Sequence, residues 1–107
     1  MKLVVIESPF AGDRALNDRY LRACLLDSLN RGEAPFASHA IYPQILDDMK
    51  PEERRKGMEA GFVWGAKADL VAVYGDLGRS SGMSEGIARA LRLGIQVEYR
   101  LVTGWKS

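Results

Sequence analysis

Short, unbroken apolar runs alternate along the chain with longer stretches in which apolar positions recur every three or four residues. Leu3-Val4-Val5-Ile6 is the first such run, mostly β-branched, and it stops at once in Ser8-Pro9-Phe10-Ala11-Gly12-Asp13. This reads as a buried strand ending in a loop. Asp13 is placed to cap a helix that continues to about Asn30, where Leu21, Leu25 and Leu29 follow one face, Arg14, Arg22 and Asp27 are left to solvent, and Gly32 marks the stop. A second, weaker strand is predicted over residues 36–41, interrupted by Ser38 and His39 and closed by Tyr42-Pro43, with a helical turn over residues 44–48.

Pro51 suits a first helical position, and Glu52 and Glu53 complement the helix dipole. Met58, Phe62 and Gly65-Ala66 share a face of this second helix, which is expected to reach about Ala68. Gly57 and Gly61 lower its propensity by about 1 kcal/mol each, and read as allowing close packing on a sheet. Asp69-Leu70-Val71-Ala72-Val73-Tyr74 is the clearest strand and the segment from Gly75 to Gly82 the clearest loop. A third helix runs from about Ser81 to Leu93, stops at Gly94, and delivers a fourth strand, Ile95-Gln96-Val97-Glu98-Tyr99. Strands alternating with helices at these spacings predict an α/β domain. Its expected form is a small three-layer, Rossmann-like parallel sheet of about four strands, with right-handed crossovers and helices on both faces. No repeat or linker divides it, so residues 1–107 read as a single domain.

Composition narrows the function classes. At 47% hydrophobic and 27% charged the chain is of globular type, which excludes disorder and fibrous repeats. Fifteen Lys and Arg against fourteen Asp and Glu leave a net charge of +1, no footprint for nucleic acid or an anionic membrane. One cysteine, Cys24, and one histidine, His39, make neither an internal disulfide nor a Cys/His metal site, so no metal and no cofactor are expected. The first apolar run ends at Glu7 and Pro9, too short for a membrane span or a signal-peptide core, and a cytoplasmic location is expected.

Ligands of open parallel sheets bind beyond the carboxyl ends of the strands. Three loops converge there: Ser8-Pro9-Phe10, the segment from Ser38 and His39 to Tyr42, and the segment from Asp76 to Ser81. In the last, Gly78 and Gly82 let backbone approach a ligand, while Ser80, Ser81 and the free N–H groups of the third helix suit an anion such as phosphate. The alternative is a plain strand-to-helix turn with Ser80 or Ser81 as the cap. The loop has neither the Walker pattern nor a dinucleotide fingerprint. Asp76 reads as a ribose ligand, an acid or base, or a turn-forming aspartate. His39 reads as a proton carrier or a half-buried strand histidine. Phe62 and Trp64 read as core before a stacking platform, Arg54, Arg55 and Glu59 as a solvated face, and Cys24 as a small buried apolar residue.

The segment from Ser80 to Gly94, Ser-Ser-Gly-Met-Ser-Glu-Gly-Ile-Ala-Arg-Ala-Leu-Arg-Leu-Gly, resembles the S-x-G-x-x-x-E-L-G-x-A-x-x-x-G signature of nucleoside 2-deoxyribosyltransferases and the related deoxynucleotide N-hydrolases. Ser8-Pro9-Phe10 looks like the loop after their first strand, and Ala68-Asp69 with Asp76 like their A-D strand and following aspartate. Nearly end to end, the chain resembles small, often phage-encoded members of that superfamily. The shared features are the segment from Arg31 to His39, Tyr42-Pro43, the segment from Asp76 to Met83 including Gly82, and Val97-Glu98-Tyr99-Arg100. In the enzymes a glutamate attacks the anomeric carbon of the sugar as the base leaves. Ungapped alignment from Arg89-Ala90 puts Gly86 at that position, and Glu85 lies one residue, about 100° of helix, away.

The resemblance therefore implies a nucleotide pocket without covalent chemistry unless Glu85, Asp76 or Glu7 substitutes. The first expectation is a binder of a nucleotide or ADP-ribose-like molecule that does not turn it over, in a phage a trap for a cyclic ADP-ribose-type defence signal. Phosphate would sit at the start of the third helix, ribose at Asp76, and Ser8, Phe10, His39 and Tyr42 would frame the base. The alternatives are an N-glycosidase or deoxyribosyltransferase using Asp76 or Glu85, and an interaction domain with a vestigial pocket. The short sheet has two edges, and a homo-oligomer with Trp64, Tyr99 and Trp105 in its contact is expected.

Overall fold

The first apolar run forms β1 (Leu3–Glu7), and Asp13 caps α1 (Arg14–Asn30) by accepting a hydrogen bond from the Leu16 backbone N–H at 3.1 Å. The chain continues through β2 (Ala34–Phe36), one-turn 3-10 helices over Ser38–Ala40 and Tyr42–Gln44, α2 (Pro51–Gly65), β3 (Leu70–Tyr74), α3 (Ser81–Arg92) and β4 (Gln96–Arg100). The computed structural model describes residues 1–106. All strand pairs are parallel, in the order β2-β1-β3-β4. From β1 the chain steps to β2 on one side, then crosses to β3 on the other, and the helices change face with the change of direction, as connections of one hand require.

The faces follow from strand alternation. Val4, Ile6, Leu70, Ala72 and Tyr74 point to α1 and pack with Tyr20, Leu21 and Cys24. Val71 and Val73 point the other way, to Met83, Ile87 and Ala90 of α3, with Val5 and Val97 at the margin. The domain is thus the expected three-layer α/β fold, and Cys24 is the buried apolar residue it was read as.

The second strand differs from expectation. Pairing runs Leu3↔Ala34 to Val5↔Phe36, and residues 38–40, expected as strand, form a 3-10 turn. Pro35 is accommodated because β2 is an edge strand, while Ser38 and His39 leave the sheet. The turn expected over residues 44–48 lies earlier, at Tyr42–Gln44. β3 starts at Leu70 because the Asp69 carboxylate accepts the Leu3 N–H at 2.8 Å. α2 ends at Gly65, and no residue of it is fully buried. Its glycines do not meet the sheet. A Cβ on Gly61 would lie 2.6 Å from Ser38 Oγ, and one on Gly57 3.3 Å from Leu46 Cδ1, so both bring α2 close to the segment after β2.

The carboxyl end of β4 is tied to the start of β2 by a buried ion pair. Arg100 donates from both terminal nitrogens to Glu33, at 2.8 and 2.7 Å, and also to Tyr74 Oη at 3.1 Å and to Glu98. Trp105 packs edge-on against Tyr20 within the chain, ring centroids 5.0 Å apart. Among the described residues no helix is long and apolar enough to cross a membrane.

Candidate functional site

A cleft of about 180 Å³ opens at the carboxyl ends of β1 and β3, where the strand order reverses, and continues between the sheet, α2 and α3. Crevices at such reversals are where open parallel sheets bind ligands. The apolar wall includes Phe36, Met58, Phe62 and Val71, and polar groups reach it from the loops and from the helices.

Most of the residues singled out in the sequence meet there. Ser8, Phe10, Ser38, His39 and Tyr42 line one side, and Ser80, Ser81, Gly82 and Met83 the other. Pro9 is buried beside the cleft and does not line it. Ser8 Oγ and His39 Nε2 are hydrogen-bonded at 2.8 Å, and the Phe10 ring meets the imidazole edge-on at 6.4 Å. Burial pushes the His39 pKa down to about 4, so at neutral pH it is an uncharged hydrogen-bonding group and not a ready proton carrier. It stands on the 3-10 turn, not on a strand. Ser80 caps α3, its Oγ accepting from the Met83 N–H at 3.2 Å, which leaves the exposed Ser81 hydroxyl at the first turn.

Four of the candidates fall elsewhere. Asp76 turns to the α1 side, where its carboxylate accepts from Tyr20 Oη and from the Val102 N–H at 2.9 Å. It is the turn-forming aspartate, fixing the segment after β4, and neither it nor Gly78 lines the cleft. Glu85 is exposed on α3 and faces Arg55 at 3.9 Å. Trp64 is not core: it is 58% exposed, lies against the Phe36 ring at 5.4 Å and donates its indole N–H to Tyr42 Oη at 3.0 Å. Phe62 does line the cleft, beneath the Arg89 guanidinium at 4.2 Å.

Two carboxyls line the cleft, Asp48, which faces Arg54 at 4.0 Å, and Glu7, the last residue of β1. It lies on the same sheet face as Val5, and α3 passes over it at Gly86. A Cβ built on Gly86 would come 2.7 Å from Glu7 Cδ and 3.0 Å from Oε1, with Oε2 closer still. Burial pushes the Glu7 pKa up to about 8, and among the described residues no hydrogen bond or opposite charge draws it back. The sequence signal was its place at the carboxyl end of the first strand, two residues beyond Val5. Among the described residues no group of three or more His, Cys, Asp and Glu is gathered as a metal would require.

Two solved structures share this architecture. The 2-deoxyribosyltransferase of the psychrotolerant bacterium Bacillus psychrosaccharolyticus superposes with a TM-score of 0.75 at 16% identity, over 98% of this chain and 76% of that one. The CMP N-glycosidase of Clostridium botulinum superposes with a TM-score of 0.59 at 16% identity, over 94% and 71%. At that identity the likeness is one of fold. No curated protein sequence matches the chain. Residues 2–100 match the domain of unknown function DUF7768, and the chain belongs to that family.

Proposed function

We propose that the cleft binds a nucleoside or nucleotide, its sugar lying across the carboxyl ends of β1 and β3 beside Glu7. The observation that carries this reading is the convergence at the strand-order reversal of an apolar wall and a few aimed polar groups, the Ser8–His39 pair, the Glu7 carboxyl and the open first turn of α3. Phe10, His39 and Tyr42 frame the base, and Ser81 with the Gly82 N–H receives a phosphate. Asp76 is committed to Tyr20 and Val102, so the sugar hydroxyls fall to Glu7 and Ser8. A fold in common with two enzymes whose names specify nucleoside chemistry supports the ligand class without identifying the ligand.

In the simplest form the ligand is held intact, and an ADP-ribose-like compound, including a cyclic one used as a host defence signal, is in the class to be tried. Cleavage of the N-glycosidic bond is the second reading, favoured by the position of Glu7. Titration calorimetry with nucleosides, nucleoside monophosphates, NAD and cyclic ADP-ribose tests the binding. Saturable heat with at least one is expected, and weakened at least tenfold by His39→Ala, whereas silence across the panel contradicts the reading.

A further inference from the structure

Gly86 and Glu7 meet across the contact of α3 with β1 so closely that no side chain at position 86 can coexist with the carboxyl in its present place. A carboxyl from the strand therefore fills the volume into which a side chain from the helix would project. Glu7 is half-buried and opens onto the cleft, and no group among the described residues hydrogen-bonds its carboxyl, which leaves it to water or a ligand. The other ionisable groups lining the cleft do not compensate it. His39 is bonded to Ser8 at 2.8 Å, Tyr42 accepts from Trp64 at 3.0 Å, Arg54 faces Asp48 at 4.0 Å and Arg89 lies on Phe62 at 4.2 Å. A carboxyl without a protein partner, facing the cleft beneath a helix position where only glycine fits, has the placement of a reacting group.

Resting on the nucleoside reading above, we infer that Glu7 is a catalytic residue, the general acid that protonates the departing base when the chain hydrolyses an N-glycosidic bond. The C1′–N bond breaks with its electron pair leaving on the base, and Glu7 gives its proton to that base. Water adds through its oxygen to C1′, and the proton it sheds restores the acid form of Glu7. The products are free base and sugar, or sugar phosphate from a nucleotide. Desolvation keeps Glu7 protonated up to about pH 8, close to where a general acid works best.

The test is base release, measured by mass spectrometry, from the common ribo- and deoxyribonucleosides and their 5′-monophosphates, with calorimetry on the same compounds. Glu7→Gln, which keeps the shape and removes the acid, is expected to lower kcat by roughly 10²- to 10⁴-fold while binding is retained and thermal unfolding shows a folded chain. Wild-type kcat is expected to fall above about pH 8. Gly86→Ala, which displaces the carboxyl, is expected to lose turnover as well. Undiminished turnover in Glu7→Gln overturns the assignment, and so does a compound that binds and is never cleaved. Absence of both binding and release overturns the nucleoside reading itself.

Discussion

A carboxyl that is neutral in the folded chain and ionised in the unfolded one makes stability fall as pH rises. For Glu7 the unfolded value is 4.5 and the folded value about 8, so the native state binds more protons throughout that window. His39 works in the opposite sense: its folded value of about 4 lies below 6.5, and stability is lost as pH falls from 6.5 towards 4. The two oppose each other at acidic pH, and only Glu7 acts above 6.5. Denaturant unfolding is therefore expected to show the wild-type chain losing about 1–2 kcal/mol between pH 6.5 and 8, with a flat response in Glu7→Gln. A wild-type curve as flat as the variant's contradicts the burial of an ionisable carboxyl. Residue by residue, the sequence located the cleft better than its chemistry. Ser8, His39 and Ser81 were legible because polar residues next to strand ends have few places to go. Asp76 and Glu85 were not, since a side chain's direction depends on partners such as Tyr20, Val102 and Arg55 that lie far away in the sequence or on another helix.

Helix α2 is the element that closes the cleft, and glycine sets its distance from the segment after β2. Gly61→Ala would drive a methyl group to 2.6 Å from Ser38 Oγ, and is expected to cost about 1–3 kcal/mol through overpacking. Gly65, four residues on, has nothing within 4 Å, so Gly65→Ala is expected to stabilise by about 0.5–1 kcal/mol through helix propensity alone. Equal effects of the two substitutions in denaturant unfolding would contradict the close approach of α2 to the Ser38 turn. α1 and α3 were legible in the sequence because their caps, Asp13 and Ser80, are local devices. β2 was not, because what defines it is pairing with β1 and a Pro35 made tolerable by its edge position.

Across the whole molecule, the strand and helix alternation was enough to foresee a parallel sheet covered on both faces, whereas its long-range fastening was invisible. Arg100, with a side chain 3% exposed, joins the end of β4 to Glu33 at the start of β2, and the guanidinium holds the Glu33 carboxyl below the usual carboxylate range. A depressed carboxylate stabilises above its unfolded pKa and ceases to do so as pH falls through its folded one, so this contribution fades only in acid. Arg100→Met leaves Glu33 with only the Ser28 hydroxyl at 2.7 Å as partner and is expected to cost roughly 3–5 kcal/mol at neutral pH, with part of the loss regained when Glu33→Met is added. A single substitution within 1 kcal/mol of wild type, about the value of an exposed pair, would show that the ion pair does not fasten the sheet. The near-neutral net charge agrees with a small-molecule ligand held by a few aimed groups, and the cleft supplies such groups in Glu7, Ser8, His39 and Ser81. The most direct test is a mass balance. The full chain is incubated with the nucleoside and nucleotide panel, and both the solution and the compounds released on denaturing the protein are identified by mass spectrometry. A compound recovered from the denatured protein, intact or as free base with the matching sugar or sugar phosphate, is expected of a nucleoside site, the cleaved form if Glu7 is its acid, whereas full recovery of every compound in solution, intact and none of it bound, would contradict a nucleoside site at Glu7.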